Sequence, residues 1–251
     1  PRRPDVGAPA DVAVAARFPA YVDEFLEFPG HEAFPEQEVR IDRIPGFYES
    51  VRARRFDLAI QMHGSGQISN MIVQSFGARC VAGFGLPANE GCNKDDCFFP
   101  YPDSGPEPLR LLELTELLGA PPIGTHLEFP ITRADESELA ASGIAARLAP
   151  GSCLCIHPGE HSRDRCWPPQ LFAQVADQLA TRFGLGVVLT GSPSEAGLTA
   201  AVASHLRSPA IDAAVPLSIG AMAALMSGAR LLLCNDTGVS HIAAGLKLNS
   251  V

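Results

Sequence analysis

The sequence predicts an α/β protein made of two Rossmann-like, doubly wound domains that face each other across a cleft. Three observations carry this expectation. Short, continuously apolar runs alternate with longer amphipathic stretches, the pattern of parallel strands covered by helices on both faces. Each run stops at a cluster of Gly, Pro, Asn or Asp, where the chain turns. The alternation lapses around residues 140–151, which hold Gly143, Pro150 and Gly151, and then a fresh strand series begins. The expected domains are therefore residues 1–145 and 146–251.

Composition narrows the function. A chain of 251 residues that is 46% hydrophobic and 19% charged is globular and long enough for two cores. Its 19 basic and 28 acidic side chains give a net charge of −9, which opposes long-range attraction to nucleic acid or to an anionic bilayer. No apolar run is long enough to span a membrane. Seven cysteines, an odd number in a chain well above the size of disulfide scaffolds, read as thiols in a reducing compartment. The chain starts without Met or a signal peptide and stops as another strand opens, so it is expected to be incomplete at both ends.

The second half gives the clearest elements. Residues 153–156 form an apolar strand ending in His157-Pro158-Gly159, and residues 168–183 a helix with Leu171, Phe172, Val175, Ala176 and Leu179 on one stripe, closed by Gly184. Next come a strand over 186–190, a helix over 195–206, a short strand over 210–215, a helix over 218–226, a strand over 230–235 and a helix from Val239. In the first half the same reading gives strands at 25–28, 57–62 and 79–82, and helices at 45–55, 67–76 and 109–118. Residues 83–103, rich in Gly, Pro and Asn, read as a long surface loop.

Ligands of doubly wound sheets sit at the carboxyl ends of the strands, so the chemistry is sought in the loops that follow them. The loop Asn235-Asp236-Thr237-Gly238-Val239-Ser240-His241 leaves a strand and opens a helix, and its free amides and the helix dipole suit an anion. Gly238 permits close approach, Thr237 adds a hydroxyl, His241 lies one turn on, and Asp236 can accept bonds from sugar hydroxyls. A plain Asp or Thr helix cap is the alternative. The loop from His157 to Trp167 carries Gly159, His161, Arg163 and Arg165, and guanidinium forks suit a pyrophosphate. Gly191-Ser192-Pro193 ends a third strand, while His63-Gly64 would line the opposite wall of the cleft.

Other patterns mislead. His157-Pro158-Gly159-Glu160-His161 fits a zinc-protease spacing, but that chemistry needs a helix and Pro158-Gly159 forbids one. Gly83-Phe84-Gly85 resembles a dinucleotide fingerprint without the helix that should follow. Cys92 and Cys97 read as loop thiols, Asn235-Asp236-Thr237 matches a glycosylation pattern without meaning here, and no serine has a G-x-S-x-G context.

As a set these motifs resemble glycosyltransferase family 9, the heptosyltransferases of lipopolysaccharide core synthesis. The resemblance rests on Phe56-Asp57-Leu58-Ala59-Ile60 with His63-Gly64, Ile156-His157-Pro158-Gly159, Arg165-Cys166-Trp167-Pro168, Val187 to Pro193, and Asn235 to Gly238 with His241-Ile242-Ala243-Ala244. It implies a GT-B fold, with an acceptor domain first and a nucleotide-sugar domain second, and inversion at the anomeric carbon without a metal or other cofactor. The implied donor-binding residues are Gly159, His161, Arg165, Ser192, Thr237, Gly238 and His241, with Asp236 orienting the sugar and His63 and Gly64 on the acceptor side. The family's base is an Asp in a glycine-containing loop after the first strand. Neither Asp5 nor Asp11 has that setting, so the base is expected outside this sequence. The helix that starts at Ser218 lacks the acidic residue the family often carries there. The implied partners are a nucleotide-sugar donor, with ADP-heptose first and UDP- or GDP-sugars as alternatives, and a lipid-linked or lipopolysaccharide glycan acceptor. The implied location is cytoplasmic, with peripheral contact at the inner membrane face. A non-catalytic nucleotide-sugar-binding relic is the rival from another class.

Overall fold

The computed structural model describes residues 14–34, 38–85, 95–159 and 166–251. In chain order the elements are α1 (Ile44–Ala53), β1 (Leu58–Ile60), α2 (Gln67–Gln74), β2 (Cys80–Phe84), β3 (Cys97–Phe99), α3 (Glu107–Leu117) and α4 (Arg133–Ala141). Then follow β4 (Cys153–His157), α5 (Pro169–Phe183), β5 (Gly186–Thr190), α6 (Ala196–His205), β6 (Ala210–Ala213), α7 (Ile219–Ser227), β7 (Leu231–Cys234) and α8 (Gly238–Gly245). They build two parallel sheets, ordered β1-β2-β3 and β6-β5-β4-β7.

The four-stranded sheet follows directly from its sequence. Its strands are mostly apolar, with His157, Thr190 and Asp212 as the polar exceptions, and alternate residues point to opposite faces, so the interior strands feed two cores. Leu154 and Ile156 of β4 join Val187 and Leu189 of β5 and Phe172, Ala173 and Ala176 of α5 on one face. Cys153 and Cys155 point the other way, toward Val188, Leu232, and the small side chains of α7 and α8. The register runs Cys153↔Gly186 with β5 and Leu154↔Leu231 with β7. Leu232 of β7 also forms an isolated parallel bridge with Ser250. Gly184 closes α5 as expected, in the left-handed conformation (φ 65°) that a side chain would resist.

Three expectations need correction. The chain divides into residues 26–125 and a second unit made of 1–25 with 126–251, so the division falls at 125/126 and not at 145/146. The cause is packing: Leu139 of α4 and Ile144 sit in the core against Cys153, Cys155 and α7, which ties residues 126–145 to the second sheet. Residues 83–103 are not all loop, since Cys97-Phe98-Phe99 pairs with β2 in register Ala82↔Cys97. The aromatic content of that run, not the glycines and prolines around it, decides its structure. Residues 25–28 form no strand. Phe25 and Leu26 straddle the passage between units, and Leu26 and Phe28 turn into an apolar cavity.

Candidate functional site

In the β4–β7 unit, parallel strands bring three loops to one edge. β4 ends at His157, β5 at Thr190 and β7 at Cys234, and the register sets His157 beside Cys234. Because β4 is interior, Pro158 and Gly159 leave it between the other two strand ends. Two contacts bind it to the β5 side. His157 Nδ1 lies 3.2 Å from Thr190 Oγ1, which donates to the Ile156 carbonyl at 3.1 Å, and His157 Nε2 lies 3.9 Å from Glu195 Oε1. On the β7 side, buried Asn235 donates through Nδ2 to the Pro158 carbonyl at 2.9 Å and accepts the Trp167 amide on Oδ1 at 3.0 Å. One amide thus pins both ends of the loop that leaves β4.

Glu195 is placed by its own sequence. Ser-Pro-Ser-Glu is a capping box, and Glu195 Oε2 accepts from the Ser192 amide and hydroxyl, each at 2.7 Å. Its carboxylate lies over Gly159, where a Cβ would collide with it. Burial pushes Glu195 upward, but the Ser192 donors and nearby His157 outweigh this and hold it ionised below its ordinary range. Burial pushes His157 below its usual value, and the Glu195 charge recovers only part of the shift, so a neutral imidazole faces a carboxylate.

At the start of α8, Thr237 is the N-cap residue but its side chain makes no capping bond, while its carbonyl accepts from the Ser240 amide and hydroxyl. The plain Thr cap is therefore not what the structure forms. Gly238 is exposed, and among the described residues no atom outside its own turn lies within 4 Å of where its Cβ would stand. The described residues leave the first turn open to a ligand. Asp236 is exposed and close enough to Cys234 to help burial push that thiol up to about 11. His241 is exposed one turn along, and Ser192 is exposed on the β5 side.

Of the predicted residues, Gly159, Ser192, Asp236, Thr237, Gly238 and His241 therefore share one edge of one unit. His161 and Arg165, with Arg163, lie outside the described residues, as does Cys92. Asp5 and Asp11 also fall there. Sequence reading overlooked His157, Thr190, Glu195 and Asn235 as a group. Only Glu195 carried a local signal, the S-x-x-E spacing after a strand.

His63 and Gly64 belong to the β1–β3 unit. Their loop is clamped: Gln61 Nε2 donates to the Ser69 hydroxyl at 2.6 Å, and Ser69 donates to the His63 carbonyl at 3.1 Å. Gly66 begins α2 at φ 86°, where a Cβ would strike the Phe84 carbonyl and Asn70. The His63 ring packs against Phe34 at 4.8 Å and borders an apolar cavity of about 490 Å³ lined by Phe28, Phe47, Phe56 and Phe76. Among the described residues, no cluster of three or more His, Cys, Asp or Glu side chains is placed to hold a metal, and no helix is long and apolar enough to cross a membrane.

A parallel sheet with strand-to-helix loops converging on one edge, beside an open helix terminus, is the architecture of Rossmann-like α/β proteins. More particularly, the family model described as glycosyltransferase family 9 (heptosyltransferase) matches residues 46–251, and the chain belongs to that family. Solved structures agree in fold. The family 9 glycosyltransferase of Veillonella parvula DSM 2008 is 19% identical with TM-score 0.69, over 85% of this chain and 62% of that one. E. coli heptosyltransferase WaaC with ADP-2-deoxy-2-fluoro heptose is 17% identical, TM-score 0.58, over 86% of this chain and 67% of that one. E. coli ADP-heptose LPS heptosyltransferase II is 17% identical, TM-score 0.61, over 86% of this chain and 69% of that one. The fold class is accordingly α/β of the GT-B type with Rossmann-like units. This chain spans 62% of the length of the Veillonella protein. No curated protein matches it.

Proposed function

We propose that the protein is an inverting, metal-independent glycosyltransferase that moves a heptose from ADP-heptose to a lipopolysaccharide core or related glycan. Family membership and the ligands in the names of the E. coli structures support the donor class. The observation that carries the reading is the start of α8 at Thr237-Gly238, which has no Thr237 side-chain cap and is sterically open among the described residues, on the same sheet edge as Gly159 and Ser192. Inverting transfer leaves a diphosphate with growing negative charge as the glycosidic bond breaks. Amides at a helix start stabilise that charge without reorganising. In this reading Thr237, Gly238 and His241 take the phosphates, and Arg165 and His161 add charge from the loop whose ends Asn235 holds. Gly159 and Ser192 bound the donor, and Asp236 orients the sugar through its hydroxyls. Glu195 offers a fixed carboxylate to donor hydroxyl groups. The proton of the acceptor hydroxyl goes to a carboxylate base, and His63-Gly64 serve the acceptor side. We place the reaction in the cytoplasm, at the inner membrane face, with peripheral contact only.

The test is a calorimetric titration with ADP-heptose and with UDP- and GDP-sugars. Selective binding of ADP-heptose supports the reading, selective binding of another nucleotide sugar reassigns the donor, and no binding to any of them overturns it.

A further inference from the structure

The residues that begin the described chain belong to the unit that holds the candidate donor site, although more than a hundred positions separate them in sequence. Tyr21 Oη donates to Glu128 Oε2 at 3.4 Å on the surface, and Arg17 makes the nearly buried attachment. Arg17 extends both guanidinium nitrogens to Asp135 at the start of α4, Nη1 to Oδ2 at 2.6 Å and Nη2 to Oδ1 at 3.0 Å. Nη1 also donates to the Pro130 carbonyl at 3.3 Å, and the guanidinium lies 5.0 Å over the Phe129 ring. Both side chains are nearly buried, at 10% and 7% exposure. Asp135 has a second task. Its carboxylate accepts the Thr132 amide and hydroxyl at 2.7 and 2.8 Å, closing the capping box of α4. A bidentate fork on an already anchored carboxylate is a rigid arrangement.

What the fork touches next gives it a role. Gly220, in the first turn of α7, lies so close that a Cβ there would collide with Arg17 Nη2 and Asp135 Oδ1. One turn along α4, Glu138 accepts the Ser218 amide at 2.6 Å and its hydroxyl at 2.7 Å, and Ser218 caps α7 through the Ala221 amide at 3.1 Å. The first turn of α7 is therefore set by three charged side chains, none of them on α7. That turn follows β6, which lies three strand positions from β7. At strand spacing this is about 14 Å from the anion-binding start of α8, along the same carboxyl edge. A nucleoside diphosphate held by its phosphates at β7 and extended across β4 and β5 would bring its base toward this turn.

We propose that Arg17 is a positioning residue for the donor: through Asp135 it fixes the first turn of α7, which bounds the nucleoside end of the site. This rests on the donor-binding reading above. Arg17 reaches no donor atom in it and acts only through Asp135 and Gly220. The consequence is selective. Losing the fork loosens the 218–221 turn and weakens a ligand that reaches it, while a ligand confined to the phosphate end is unaffected.

The experiment compares wild type with Arg17→Met and Arg17→Lys. Hydrogen exchange of the 218–222 amides is measured without ligand. Affinities are then measured for inorganic pyrophosphate and for whichever of ADP, UDP or GDP binds wild type most tightly. We expect exchange at 218–222 to accelerate at least tenfold in Arg17→Met, nucleotide affinity to fall about tenfold, and pyrophosphate affinity to hold. Arg17→Lys, which keeps the charge without the fork, should give a smaller version of the same pattern and serves if Arg17→Met does not fold. Unchanged exchange overturns the proposal. Equal weakening of nucleotide and pyrophosphate overturns it too, because Arg17 would then support the whole unit and not the nucleoside end. If no nucleoside diphosphate binds wild type, the donor reading and the nucleoside role fail together, while accelerated exchange would still show that Arg17 holds the turn.

Discussion

At the scale of single residues, the exposed glycine at the start of α8 gives the sharpest test. Among the described residues nothing outside its own turn stands where a Gly238 side chain would go, and the backbone there needs no left-handed conformation. Gly238→Val should therefore cost the fold less than about 1 kcal/mol, while its methyl groups occupy the space a phosphate needs. Donor binding is expected to vanish with little change in melting temperature. Asp236→Asn should lower turnover more than affinity, because a carboxylate that orients the sugar contributes most as charge redistributes. Kinetics and calorimetry on the same preparations separate the two variants. Asp135 yields a prediction in pH. Burial would raise its pKa, but the Arg17 fork and the Thr132 donors override this and depress it from 3.8 to about 2. A carboxylate with a depressed folded-state pKa contributes stability that is fully present above pH 3.8 and is lost as pH falls through about 2. The loss amounts to about 2 kcal/mol. Denaturant titrations between pH 5 and 2 should show this component in wild type and lack it in Asp135→Asn.

At the scale of elements, the β5–α6 connection shows how a cap becomes part of a site. Glu195 caps the turn that precedes α6 and, from that position, lies over Gly159 and near His157. Gly159→Ala should push the carboxylate away, because a Cβ at 159 takes its place. The lost capping interaction costs about 1 kcal/mol. The His157 pKa should fall further, since the Glu195 charge was raising it against burial. An NMR titration of His157 reads this sign directly, and a rise would contradict the arrangement. These elements were unevenly legible in the sequence. β4, β5 and β7 declared themselves because strands buried on both faces read as near-continuous apolar runs, and Gly184 marked the end of α5. The loop after β7 was legible as a strand-to-helix turn, because Asn235 to Gly238 interrupt one apolar run and open another. β3 was hidden because glycine and proline neighbours outweighed three residues in the local composition. Asn235 was hidden because its partners, Pro158 and Trp167, lie 77 and 68 positions away, and no local pattern encodes such a bond.

At the scale of the whole molecule, the same limit explains the displaced domain boundary. Turn-rich composition at 140–151 marks where the chain bends, but Leu139 and Ile144 are buried with the second sheet, and Arg17 reaches Asp135 across 118 positions. The result is a unit of residues 26–125 inserted in sequence into another that the chain enters, leaves and re-enters. Each unit carries its own buried residues, Phe84 and Leu114 in the first and Phe172, Leu154 and Ile156 in the second. Separate cores are expected to unfold as separate cooperative transitions wherever their stabilities differ. Large-to-small changes then assign the transitions. Phe84→Ala and Phe172→Ala, each removing a fully buried ring, should each cost about 3 to 5 kcal/mol, but in different units. Arg17→Met decides the organisation. A boundary at 145/146 would group residue 17 with Phe84, whereas the observed attachment groups it with Phe172, so its effect should fall on the transition that Phe172→Ala moves and leave the other in place. Differential scanning calorimetry of the three variants makes the comparison. If Arg17→Met shifts the Phe84-linked transition instead, residues 14–25 do not belong to the unit that contains β4 to β7.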